Sequence, residues 1–282
     1  MRIGPDPSRT IGVVGSPAAA RDLAIASIAI GLLSTVVEGP ARWVVMAGVF
    51  VAVSLGTLQL LGDTGSSSVA RGVPVESLIL PAVTAVALTG SIHLVPIGPL
   101  LIPALAAGAW LLVRIVGTEA RLLANPAGPT SADRTTVLAE ALAVGFLAFI
   151  GFAALVTGGL PEPGPVVASP TGLSLATLAA VDAVTAFLLG YRAAALRSTN
   201  LRDVAWSALT SAGVVAIAAV AVRAMEIPRL LGPALLVLVF FLWDAIQGGG
   251  SSRRRAARRI WDAVLLLIVG GVVIAWSLRL RG

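Results

Sequence analysis

Asp182 stands inside an apolar run, Leu173–Tyr191, that carries no other charge. A carboxylate near the centre of a membrane span is costly unless it is paired, hydrated or protonated. At about 100° per residue, Thr171, Ser174 and Thr185 fall within roughly 80° of Asp182 on a helix, while Thr177 lies opposite. A polar stripe of that kind is expected to face the bundle interior or a water-filled cavity. There it would hold a proton or a cation. The plainer alternative is a protonated aspartic acid hydrogen-bonded between helices. The sequence places no basic residue at its depth, so Asp182 is read as protonated unless water or a cation reaches it.

Arg114 and Asp244 form the next candidate. Each lies within about one turn of the same end of its span, so they could pair as a gate or a solute contact. Glu140, near the start of the fifth span, is the other candidate partner for Arg114. Without such a role, Arg114 would snorkel to the nearby interface, Asp244 would meet an arginine of the loop that follows it, and Glu140 would suit the helix dipole. His93, the one histidine, is read as an interfacial turn residue beside prolines. The tryptophans mostly fall toward span ends and read as interface anchors.

Several chemistries are excluded by residue types. Cysteine is absent, so thiolate metal sites and thiol nucleophiles are out. All 20 basic side chains are arginine, which removes Schiff-base lysines and the P-loop lysine. The acids are scattered singly, without the paired carboxylates or histidine clusters of bilayer enzymes. The expectation is a non-enzyme with no cofactor and no metal.

The elements that must position these residues follow from composition. The chain has 282 residues, of which 57% are hydrophobic and 12% charged, with a mean hydropathy of +0.96. That is too little polar surface for a soluble domain of this length, so the solvent is lipid. The expected fold is all-α: a polytopic integral membrane bundle occupying 1–282 as a single transmembrane domain, with no soluble domain. Apolar length and breaker residues give nine spans: Leu23–Val37, Trp43–Leu61, Val75–Ile92, Pro99–Gly117, Val137–Thr157, Leu173–Tyr191, Val204–Val222, Leu230–Gln247 and Ile260–Leu278. The first eight pair into hairpins, 23–61, 75–117, 137–191 and 204–247. The prolines between Val73 and Gly117 leave Leu94–Pro103 open as either a turn or a re-entrant dip.

Orientation comes from the stretch GGGSSRRRAARR at 248–259, whose Arg253, Arg254, Arg255, Arg258 and Arg259 resist translocation. With that loop and the N-terminus in the cytoplasm and the C-terminus outside, only Arg42, Arg223, Arg229, Arg279 and Arg281 fall external. The same five loop arginines are candidates for contact with anionic lipid headgroups of the cytoplasmic face. A sequence pI near 11.4 reflects this topology and not nucleic-acid binding. Other expected partners are the bilayer itself and a membrane protein or second copy of the chain. The location read from this is the cytoplasmic membrane of a bacterium.

Two functions follow. The leading one is a transporter or permease-like protein for a small solute or ion, built on the intramembrane carboxylate. The alternative is a non-catalytic scaffold or accessory subunit of a larger membrane complex, which the small residues on the spans would suit. A water-filled cavity reaching Asp182 would favour transport, and dry packing the scaffold. Reporter fusions test the topology: a fusion at Gly164 should read external and one at Gly250 cytoplasmic. Both on one side would overturn the nine-span order.

Overall fold

A computed structural model describes residues 17–63, 72–95, 98–125, 127–156, 159–160, 171–225 and 230–248. Among these residues the regular structure is eight α-helices and no strand. They are α1 (Pro17–Ser34), α2 (Ala41–Asp63), α3 (Glu76–Ile92), α4 (Leu101–Ala124), α5 (Ser131–Leu155), α6 (Gly172–Ala195), α7 (Leu201–Ala224) and α8 (Leu231–Gly248). Six of them, α2 and α4 to α8, are long and apolar enough to cross a membrane, and α3 is a shorter apolar helix. The chain is therefore a multi-pass helical membrane protein. The expected ninth span, 260–278, and the five loop arginines from Arg253 to Arg259 lie outside the described residues.

Helix ends depart from the apolar runs in a consistent direction. α4 continues to Ala124, two turns past the expected stop at Gly117, and α5 starts at Ser131 instead of Val137. α6 runs on through Arg192 to Ala195, and α7 takes in Arg223. Apolar length marks the hydrocarbon layer, whereas backbone hydrogen bonding continues into the interface until a cap ends it. Thr130 supplies one such cap: its hydroxyl accepts from the Asp133 amide, and the Asp133 carboxylate accepts from the Thr130 amide. Thr171 and Asn200 cap α6 and α7 in the same manner.

α1 also starts earlier than expected, at Pro17 and not Leu23. The proline-rich region resolves into two separate helices. Pro81 sits within α3 and Pro103 in the first turn of α4, where its missing N–H costs nothing.

The helices follow one another up and down within each group of four. α1 to α4 pack as one set, and α5 to α8 close a ring in which α5 touches α6 and α8, and α7 touches both of its chain neighbours. α3 joins the sets: it packs on α1, α2, α4, α5 and α6, and most of its residues are buried. The main core gathers Leu80 and Val83 of α3, Phe149 of α5, Leu189 of α6, Val215 of α7 and Phe240 of α8. Seven of the nine described arginines, Arg21, Arg114, Arg121, Arg134, Arg192, Arg197 and Arg202, fall in the half that holds the α2–α3, α4–α5 and α6–α7 connections. We call this the basic end and the opposite one the far end.

A close backbone approach joins α3 to α5 near the far end. A Cβ added to Gly151 would lie 2.8 Å from the Ser91 nitrogen and 2.9 Å from the Gly90 carbonyl carbon. Neither is a flexible side-chain end, so the helices would have to separate. Gly117 of α4, by contrast, has nothing within 4 Å of such an atom. Gly151→Ala should therefore destabilise the protein in detergent by about 1–3 kcal/mol. Gly117→Ala should be neutral or stabilise it by up to about 1 kcal/mol. Thermal unfolding of the two variants checks the opposite signs.

Candidate functional site

Asp182 is the eleventh residue of α6, fully buried, and it is not alone. Arg223 of α7 places Nη1 2.5 Å from its Oδ2, and the arginine side chain is itself almost wholly buried. Arg223 stands one residue from the far end of α7, but helical side chains lean toward the helix N-terminus. Its guanidinium thus reaches back toward the middle of the bundle. This corrects the expectation of an Asp182 without a basic neighbour. The reason is that Arg223 is the first charge after an apolar run, so sequence alone assigns it to the external turn.

The second carboxylate oxygen, Oδ1, is buried and accepts no hydrogen bond from the described residues. None of the described cavities is lined by Asp182. The expected hydroxyl stripe does not converge on it either. Ser174 bonds with Thr171 at the α6 N-cap, and the Thr185 hydroxyl donates to the Val181 carbonyl of its own helix. Both hydroxyls are spent on backbone or cap. Toward the basic end from the pair, α6 and α7 are held close: a Cβ on Gly190 would lie 3.1 Å from the Ser211 side chain.

A second set of charges forms a layer at the basic end. Glu119 of α4 and Arg192 of α6 are both buried and meet in a two-pronged pair, Nε–Oε1 2.8 Å and Nη2–Oε2 2.6 Å. Ser77 of α3 adds a hydrogen bond to the same carboxylate. Asp244 of α8 is gripped by both terminal nitrogens of Arg197, one of them 2.8 Å from Oδ2. Thr210 of α7 receives the indole N–H of Trp243 at 3.2 Å and the amide of Gln247 at 2.6 Å.

Arg114 is bonded through Nε to Glu140 Oε1 at 3.2 Å, and the Thr118 hydroxyl lies 3.0 Å from the same oxygen. The expected Arg114–Asp244 pair is thus not formed. Similar depth brings residues to one level, but α4 and α8 are not packed together, whereas α5 lies beside α4 and the α6–α7 connection lies beside α8. Asp244 takes Arg197; the arginines of its following loop lie outside the described residues. Nor does Arg114 snorkel to the basic end. Its guanidinium folds over the Trp110 ring, one turn toward the far end, 5.4 Å from the centroid.

His93 caps α3, its Nδ1 3.1 Å from the Thr89 carbonyl oxygen. Trp43, Trp206 and Trp243 lie near helix ends, as anchors should, but Trp110 lies in the middle of α4 and is 61% exposed. Among the described residues no three histidine, aspartate or glutamate side chains gather to hold a metal.

The buried Glu119–Arg192 pair is what sequence reading missed, because both residues follow the apolar runs and were assigned to loops. The available signal was helical continuity: no breaker separates Gly117 from Ala124 or Tyr191 from Ala195. Compared with known proteins, the chain matches no family model, no curated protein and no solved structure.

Removing one partner of a buried pair leaves the other charge uncompensated, at a cost of roughly 3–5 kcal/mol. Arg192→Gln should destabilise the protein by that order. Adding Glu119→Gln should recover much of the loss. A double-mutant cycle in detergent that shows no coupling would contradict the geometry.

Proposed function

We propose that this is a permease-like protein of a bacterial cytoplasmic membrane that moves a small solute or ion by way of Asp182. Its N-terminus lies inside and its C-terminus outside, and the arginines of the 248–259 loop rest on anionic headgroups. The reading involves no catalysis. The observation that carries it is the Oδ1 of Asp182, a fully buried carboxylate oxygen with no donor among the described residues. Intramembrane acids of that kind mark proton and ion pathways. A proton or small cation taken up at Oδ1 would weaken the hold on Arg223 and so loosen α6 from α7.

The same pair, and the absence of Asp182 from the lining of the described cavities, support a second reading. Arg223 already compensates the charge of Asp182 and fastens α6 to α7, which is all that a rigid scaffold or accessory subunit would require.

Charge-removing variants in proteoliposomes separate the two. Asp182→Asn strands Arg223 and should destabilise the fold by roughly 3–5 kcal/mol, so Asp182→Asn with Arg223→Gln is the informative protein. Under the permease reading the double variant is stable yet loses pH- or cation-dependent flux, followed with pH- and potential-sensitive dyes. A stable double variant with unchanged flux and pH dependence would leave the scaffold.

A further inference from the structure

α4 leans away from α5 toward the far end, and a cleft of about 490 Å³ opens between them. Its walls are almost wholly apolar, among them Ile92 of α3, Ala107 and Leu111 of α4, and Leu147 and Ile150 of α5. Along α4 it runs from Leu101 to Trp110, about 14 Å at the helical rise, close to the roughly 15 Å hydrocarbon depth of one leaflet. Volume and lining are those of a ligand cavity.

One turn past its last lining residues on α4, Arg114 lies over the Trp110 ring at the cleft's basic end. Half of that side chain is exposed, and its Nε is held by Glu140. Among the described residues neither terminal nitrogen has a hydrogen-bond partner. Four N–H donors therefore stand open about one turn inside the end of the apolar run at Gly117, where hydrocarbon offers no acceptor. Arg121, seven residues on and so on the same face of α4, is exposed with one terminal nitrogen on Thr118. Glu140 opposes them from the inside: it is buried, so the anion faces the bundle and the two cations face outward. An anionic group arriving from the bilayer meets a net positive rim with an apolar slot beyond it.

We infer that this cleft binds an anionic membrane lipid, its phosphate at Arg114 and Arg121 and one acyl chain lying past Trp110 toward Leu101. The phosphate satisfies the open guanidinium donors with charge-assisted bonds. The chain fills walls that no described side chain covers.

The test uses Trp110 as reporter. The full chain is reconstituted in phosphatidylcholine vesicles with increasing brominated phosphatidylglycerol or, in parallel, brominated phosphatidylcholine. The Trp110 signal is the difference from Trp110→Phe. Quenching should half-saturate at a lower fraction of the anionic lipid, each arginine contributing a preference of about fivefold. Arg114→Gln and Arg121→Gln should each remove about that factor, and Arg114→Lys should retain part of it. Ala107→Phe, which fills the slot, should reduce quenching by either lipid. If Arg114→Gln fails to fold, Arg121→Gln and Ala107→Phe decide. Equal curves for the two lipids, or a preference that survives both arginine variants, would overturn the inference. So would a Trp110 shielded from both lipids in a protein that cross-links as a dimer, since a second copy would then cover the cleft.

Discussion

A carboxylate and a guanidinium that water does not reach must satisfy each other, and the pair Glu119–Arg192 imposes that condition on the whole basic end. Both side chains are buried, and they meet through two parallel bonds. The bidentate form demands a fixed distance and rotation between α4 and α6, helices that are not close backbone neighbours. α3 lies between the two sets of helices, and its Ser77 closes the same carboxylate. One ion pair thus fixes the relative height of three helices. Neighbouring bonds extend the layer, Arg114–Glu140 to α5, Arg197–Asp244 to α8, and Thr210 from α7 to Trp243 and Gln247. In a bilayer apolar side chains gain little by meeting each other instead of lipid, so such polar ties and close backbone packing carry much of the association.

The far end relies on shape. Gly90 and Gly151 allow α3 and α5 to touch backbone to backbone there, while Gly190, in the basic half, brings α6 against the Ser211 side chain of α7. Close approach of α3 and α5 leaves α4 on the outside, held at the basic end and splayed beyond it. The cleft follows from that contrast. The Asp182–Arg223 pair sits on the tight side, within the α6–α7 contact, and the lipid-facing cations sit on the loose side. A carboxylate sealed among packed helices and an arginine open to the bilayer are opposite solutions to the same desolvation cost.

Residue types and spacing were enough to determine that this chain is helical and belongs in lipid. Runs of apolar residues without polar surface leave no other solvent, and inside lipid the backbone must bond within each segment. The depth of most charges could also be read, since it follows from position along a span. Asp182 was singled out correctly as buried in the middle of α6. Arg114 and Asp244 were placed near the right end.

Only the tertiary structure decided which charge meets which. Depth is a one-dimensional quantity, but a partner also requires the right lateral neighbour, and lateral order depends on packing between residues far apart in sequence. Arg114 and Asp244 therefore found Glu140 and Arg197 instead of each other. Glu119, Arg192 and Arg223 were read as loop charges because hydropathy falls where the first charge stands, while the helix continues as long as its hydrogen bonds do. A charge just beyond an apolar run can lean back along its helix and be buried, and whether it does depends on what waits on the next helix.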